Sequence, residues 1–189
     1  MVENDTADRV LAKEHHVGSL CRLKLPQDVV SFATYGGHHR CYRYTLKRVW
    51  DSALPMVMWV LMNPSVATEE WDDRTVAKCQ RYAREWGYGG LFVGNTFAYR
   101  CTDQKRLLEV EDPIGPENNA ALLDMAKEAH LIVAAYGSPH YKTLWARGTE
   151  VLHLLRSHGF AVHALKLSSA SRPCHPLYLS STLLPFPLI

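Results

Sequence analysis

Met56-Val57-Met58-Trp59-Val60-Leu61-Met62-Asn63-Pro64-Ser65 is the stretch on which the reading of this chain turns. Its first six residues are wholly apolar, and its last three are a polar turn. A short continuous apolar run suits a strand buried on both faces, as in a parallel sheet. Three more runs follow: Leu91–Val93, Leu131–Ala135 and, less cleanly, Ala161–Leu167. Between them lie segments of helical period. In Asp73–Trp86, the apolar residues Val76, Cys79, Ala83 and Trp86 recur at spacings of three and four, and Arg74, Lys78, Arg81 and Glu85 take the other face. Asp72 or Asp73 is placed to cap that helix and Gly87 to end it. Pro116–Ala129 and Lys142–His158, the latter ending against Gly159, read as two further helices. Strands alternating with helices imply right-handed βαβ units. The expected fold class is α/β: three α/β/α layers around a four-stranded, mainly parallel central sheet.

Upstream the period changes from continuous to alternating. In Arg40–Trp50, Tyr42, Tyr44 and Leu46 share one face, and Arg43, Thr45 and Lys47 the other. That is the pattern of a half-buried strand, here in an N-terminal β-hairpin. The chain of 189 residues reads as a single domain over 1–189. Within it are a polar leader (1–16), a β-hairpin extension (17–54), an α/β core (55–180) and an apolar tail (181–189) expected to pack onto the domain.

Composition sets limits. At 47% hydrophobic and 21% charged, the chain is globular rather than disordered. The net charge of +2 neither requires nor excludes a nucleic-acid partner, because a local basic patch can bind phosphates under a near-neutral total. The five cysteines (Cys21, Cys41, Cys79, Cys101 and Cys174) include no C-x-x-C pair, which argues against a disulfide framework, a compact zinc site or an iron–sulfur cluster. No apolar run is long enough for a membrane span, and the charged start is unlike a signal peptide. The expected location is cytoplasmic.

Ligands of parallel sheets bind beyond the carboxyl ends of the strands. Four motifs stand there: Met62-Asn63-Pro64-Ser65, Gly94-Asn95-Thr96, Tyr136-Gly137-Ser138-Pro139-His140 and, after a longer gap, Arg172-Pro173-Cys174-His175-Pro176-Leu177-Tyr178. With Tyr42-Arg43-Tyr44-Thr45-Leu46 and Asn95-Thr96-Phe97-Ala98-Tyr99-Arg100, these motifs resemble a bacterial and phage family defined by a domain of unknown function, of DUF1643 type. The order and placement of the motifs is similar, more distantly, to the uracil-DNA glycosylase superfamily. That resemblance implies that the first loop, here Asn63-Pro64-Ser65, positions the attacking water. It makes Asn95 the reader of the extruded base's edge and aligns Gly137-Ser138 with a further binding loop. It makes His175 the residue that hydrogen-bonds the base, followed by Pro176-Leu177-Tyr178 as a wedge into the DNA stack. The activating Asp of the classical uracil enzymes is replaced by Asn63, and Leu177-Tyr178 replaces the usual small residues.

The chemistry suits these residue types. Breaking an N-glycosidic bond puts positive charge on the sugar and negative charge on the departing base. Neutral imidazole at His175 can donate to a base carbonyl oxygen. Asn95 offers a donor and an acceptor, as a pyrimidine edge requires. Asn63 can orient water but cannot act as a base. The expected catalytic residues are therefore Asn63 and His175. Pro64, Ser65, Asn95, Tyr99, Gly137, Ser138, Pro176, Leu177 and Tyr178 are the expected substrate-binding residues. Arg43, Arg100 and Arg172 are expected at the DNA backbone, with Arg40, Lys47, Arg48, Arg74 and Arg81 as further cations. The expected function is a DNA glycosylase-like enzyme that hydrolyses the N-glycosidic bond of uracil or a modified pyrimidine in DNA, with no cofactor and no metal. Two alternatives use the same pocket: a non-catalytic nucleic-acid or nucleotide-binding module, and an enzyme acting on free nucleosides or nucleotides.

Each residue also has a plain reading. Asn63-Pro64 closes a strand with an Asx turn, Asn95 bonds loop backbone, and His175 is a surface loop residue. The Arg/Tyr stripe at 40–48 is a half-solvated strand. Asp72-Asp73 caps a helix rather than binding a metal with Glu69 and Glu70. Trp71 is either a hydrophobic staple or a base-stacking platform. His15-His16 and His38-His39 have no residues nearby to complete a ligand set.

Overall fold

The structure, a computed structural model, describes residues 21–188; the expected leader over 1–16, with His15-His16, lies outside the described residues. In chain order the elements are β1 (Leu23–Lys24), β2 (Val30–Gly36), β3 (Tyr42–Val49), β4 (Met56–Leu61), β5 (Trp71–Asp72), α1 (Arg74–Glu85), β6 (Gly90–Asn95), α2 (Arg106–Glu109), α3 (Asn118–Glu128), β7 (Leu131–Ala134), α4 (Trp145–Ser157), β8 (Val162–Ala164) and β9 (Phe186–Pro187).

The central sheet is mixed and has seven strands, in the order β2-β3-β6-β4-β7-β8-β9. Its middle is the set of four apolar runs: β6, β4, β7 and β8 are parallel neighbours. The expected four-stranded sheet is therefore too small. The hairpin β2–β3 is not an appendage, because β3 pairs antiparallel with the free edge of β6. At the other edge the apolar tail supplies β9, antiparallel to β8. Each addition satisfies edge N–H and C=O groups that would otherwise be left unpaired.

Helices cover both faces. Val57, Trp59, Leu61, Leu91, Val93 and Val133 point to one side and pack with Val76, Cys79, Tyr82 and Ala83 of α1. Met58, Val60, Phe92, Ile132 and Ala134 point to the other and pack with Leu122 and Met125 of α3 and Val151 and Leu155 of α4. The period of two along β4 thus feeds two separate cores. Helix α1 starts as expected. Asp73 is its N-cap, and Oδ1 accepts from the Val76 N–H at 2.8 Å. The helix stops before Gly87, which takes φ +80°, a conformation glycine adopts without strain.

One irregularity matters for the site. The β2–β3 register runs Thr34↔Thr45 and then Tyr35↔Arg43, skipping Tyr44. This bulge breaks the alternation of β3. Arg43 donates to Ala67 O on the α1 side, where Leu46 also packs, so the expected half-solvated Arg/Tyr stripe is corrected. Arg43, Tyr44, Leu46 and Arg48 are all buried.

Candidate active-site cleft

A cleft of about 620 Å³ opens at the carboxyl ends of the four parallel strands. Leu61, Met62, Asn63 and Ser65 line it from the end of β4, Asn95 from β6, and Tyr136, Gly137 and Ser138 from β7. His175, Leu177 and Tyr178 come from the loop after β8. Eight of the eleven expected catalytic and substrate-binding residues thus share one cavity. Pro64 and Pro176 are buried in the loops they shape, and Tyr99 packs edge-on against Tyr42 with ring centroids 6.0 Å apart. None of these three lines the cleft.

The first two loops are stitched together. Thr96 donates through N and Oγ1 to Leu61 O and Met62 O at 2.8 and 2.9 Å. Asn118 Nδ2 donates to Asn95 O and Thr96 O, and Arg147 Nε also donates to Thr96 O. Asn63 uses its amide nitrogen on Cys101 O (2.5 Å) and Pro64 O (3.2 Å), which braces the loop as a turn residue does. Its amide oxygen has no hydrogen-bond partner among the described residues. That oxygen is an acceptor able to hold a water.

Asn95 is buried, and its Oδ1 accepts from Arg43 NH2 at 3.2 Å. The guanidinium can only donate, so the amide is fixed with its oxygen toward Arg43. Asn95 Nδ2 is left buried and unpartnered, as is Arg43 Nε. Arg43 has no carboxylate in ion-pair contact among the described residues. Burial brings its guanidinium down to about 10, against the pull of Asp73 and Tyr35, and Arg100 and Arg48 lower it further. It remains a cation at neutral pH. Arg43 therefore sits buried in the cleft wall rather than on an exposed surface.

The excursion between β8 and His175 closes on itself. Ser168 N donates to Arg172 O, Leu167 bridges Pro173, and Gly137 N donates to Pro173 O at 3.0 Å. This returns His175 to the cleft. Gly137 has φ +73°, and a Cβ there would meet His175 Cβ at 3.2 Å. His175 Nδ1 accepts from the Leu177 N–H at 3.4 Å, which assigns the ring proton to Nε2. Burial holds the imidazole below its ordinary 6.5, with the Asp73 charge opposing. The result is a neutral ring that donates through Nε2. Tyr178, beside it, is 85% exposed.

The remaining cations are distributed differently from expectation. Arg48 is fully buried and paired with Asp72 at 2.8 Å, which removes it from any phosphate role. Arg40 pairs with Glu69 and stacks on Tyr35 at 3.6 Å. Arg100 lies over the same ring at 5.3 Å, and Arg172 stacks on Trp145 at 3.5 Å; neither lines the cleft. Lys47 pairs with Glu128 at 3.4 Å. Arg74 is exposed and does line the cleft. Trp71 pairs with Lys24 in the small β1–β5 ribbon and is not a cleft residue.

Sequence reasoning missed one wall of the cleft, formed by Asp73, Thr75 and Val76 at the start of α1 and by Cys101, Thr102 and Gln104. Asp73 was legible only as a cap. A signal existed: in a βαβ unit the helix begins at the carboxyl end of the preceding strand, so its first turn faces the ligand side. Among the described residues, no group of three His, Cys, Asp or Glu could hold a metal ion, and no helix is long and apolar enough to cross a membrane. Among the described residues, none of the five cysteines forms a disulfide.

Comparison with the curated proteins and with the solved structures found no match. A family model described as a protein of unknown function (DUF1643) matches residues 43–177. That span runs from Arg43 at the cleft wall to Leu177 at its rim and takes in most of the chain, which belongs to the DUF1643 family.

Proposed function

We propose that this chain is a DNA glycosylase-like hydrolase that excises uracil or a modified pyrimidine. The observation that carries the reading is the convergence of Asn63, Asn95 and His175 on one cleft, each from a different strand end. Their protonation and orientation suit the task. Asn95 holds a buried, unpartnered amide N–H pair, and His175 carries its ring proton on Nε2. Two donors match a base edge with keto oxygens, which gain negative charge as the base leaves. Donors placed at a developing anion are worth ~10²–10³ in rate each. The Asn63 oxygen holds the water.

A base must leave the helix to enter such a cleft. Exposed Tyr178 stands at the rim, beside His175, where a side chain could stack into the gap. The test is release of free base, followed by mass spectrometry. The substrates are single- and double-stranded oligonucleotides carrying uracil, 5-hydroxymethyluracil or thymine opposite guanine. Release of any of these, slowed ~10²–10³-fold in His175→Ala, supports the reading. Binding of all of them without release overturns it in favour of a binding module.

A further inference from the structure

Water attack on C1′ needs a proton acceptor, and the sugar cation needs a nearby negative charge. Asn63 supplies neither. One carboxylate lines the cleft among the described residues: Asp73, at the first turn of α1. Its Oδ1 is taken by the Val76 N–H, and Oδ2 has no hydrogen-bond partner among the described residues. Asp73 is half-buried and lines the cleft. Its charge is felt by both His175 and Arg43, which come from opposite ends of the sheet's site.

We propose that Asp73 is the catalytic carboxylate of this cleft and fills the role that Asn63 cannot. This rests on the glycosylase reading above. In the step, the water oxygen bonds to C1′ while the C1′–N bond breaks. The bonding pair leaves on the base, whose keto oxygens accept from Asn95 Nδ2 and His175 Nε2. The water proton passes to Asp73 Oδ2 and from there to the departed base. The same side chain thus does two jobs: Oδ1 starts the helix, and Oδ2 faces the reaction.

The two jobs separate cleanly, because Asn is as good an N-cap as Asp. Asp73→Asn keeps the cap and removes the charge. The experiment measures affinity for two single-stranded oligonucleotides, one with a cationic pyrrolidine in place of the target deoxyribose and one with a neutral tetrahydrofuran. Asp73→Asn, with an unchanged thermal midpoint, is expected to weaken pyrrolidine binding on the order of tenfold or more and leave tetrahydrofuran binding unchanged. Equal binding of both ligands by wild type and variant overturns the proposal and leaves the glycosylase reading standing. A wild-type protein that binds neither oligonucleotide overturns the reading itself, and this proposal with it. Should Asp73→Asn be unstable, Asp73→Ser, also a good cap, is measured in its place.

Discussion

Arg43 NH2 donates to Asn95 Oδ1 at 3.2 Å, and that one bond decides which end of the amide is left for a ligand. Both residues are buried, and no carboxylate neutralises the arginine within ion-pair distance among the described residues. A shorter ammonium cannot hold Ala67 O and Asn95 Oδ1 together. Arg43→Lys is expected to let the Asn95 amide turn. Discrimination between a keto base and an amino base should then fall about tenfold, the worth of roughly one hydrogen bond to a charged group. Competition between uracil- and cytosine-containing oligonucleotides measures it.

His175 is held below its ordinary 6.5 by burial. A lowered value keeps the ring neutral to lower pH, so its donor at Nε2 and its acceptor at Nδ1 persist as acid is added. The acid limb of the pH–rate profile should lie below pH 6.5. The stability associated with this group is present above 6.5 and is lost as pH falls through the folded value. An acid limb above 6.5 would show a charged ring instead. His175→Ala should lower the single-turnover rate ~10²–10³-fold.

Gly137 sits at φ +73° with His175 against it. Gly137→Ala forces a side chain into left-handed backbone and into the Cβ of His175 at once. A loss of about 1–2 kcal/mol is expected from the backbone alone. Because the displaced residue is His175, turnover should fall further than stability accounts for. Urea unfolding and single-turnover rates on the same variant separate the two.

Arg48 and Asp72 form a buried pair in which Gln80 Nε2 also donates to the carboxylate. Removing one partner leaves the other as an uncompensated buried charge. Arg48→Met should cost about 3–5 kcal/mol of stability. DNA affinity of the folded variant should be unchanged, which distinguishes a structural arginine from a phosphate contact. Arg74 is the converse case. It is exposed at the cleft, and Arg74→Ala should leave stability unchanged while lowering the slope of log K against log salt by about 1.

The four central strands and three long helices were legible because continuous apolar runs and 3.6-residue periods are local properties of a sequence. The seven-strand width was not, because β3 joins β6, and β9 joins β8, through pairings of distant residues. Arg43 shows the limit most clearly. Strict alternation puts it opposite Leu46, and only the register skip at Tyr44, a property of two strands together, turns it inward. That Asn63, Asn95 and His175 share one cleft was legible because strand ends in a parallel sheet converge. The contribution of Asp73 was hidden behind a correct assignment as a helix cap.

The most direct measurement is alkaline cleavage of a labelled, single-stranded oligonucleotide containing one uracil, after incubation with wild-type protein or with the Asn63→Ala/His175→Ala double variant. A strand break at the uracil position is expected with wild type and none with the variant. A break that persists in the variant would place the chemistry outside this cleft. No break across uracil, 5-hydroxymethyluracil, hypoxanthine and thymine opposite guanine would contradict base excision altogether.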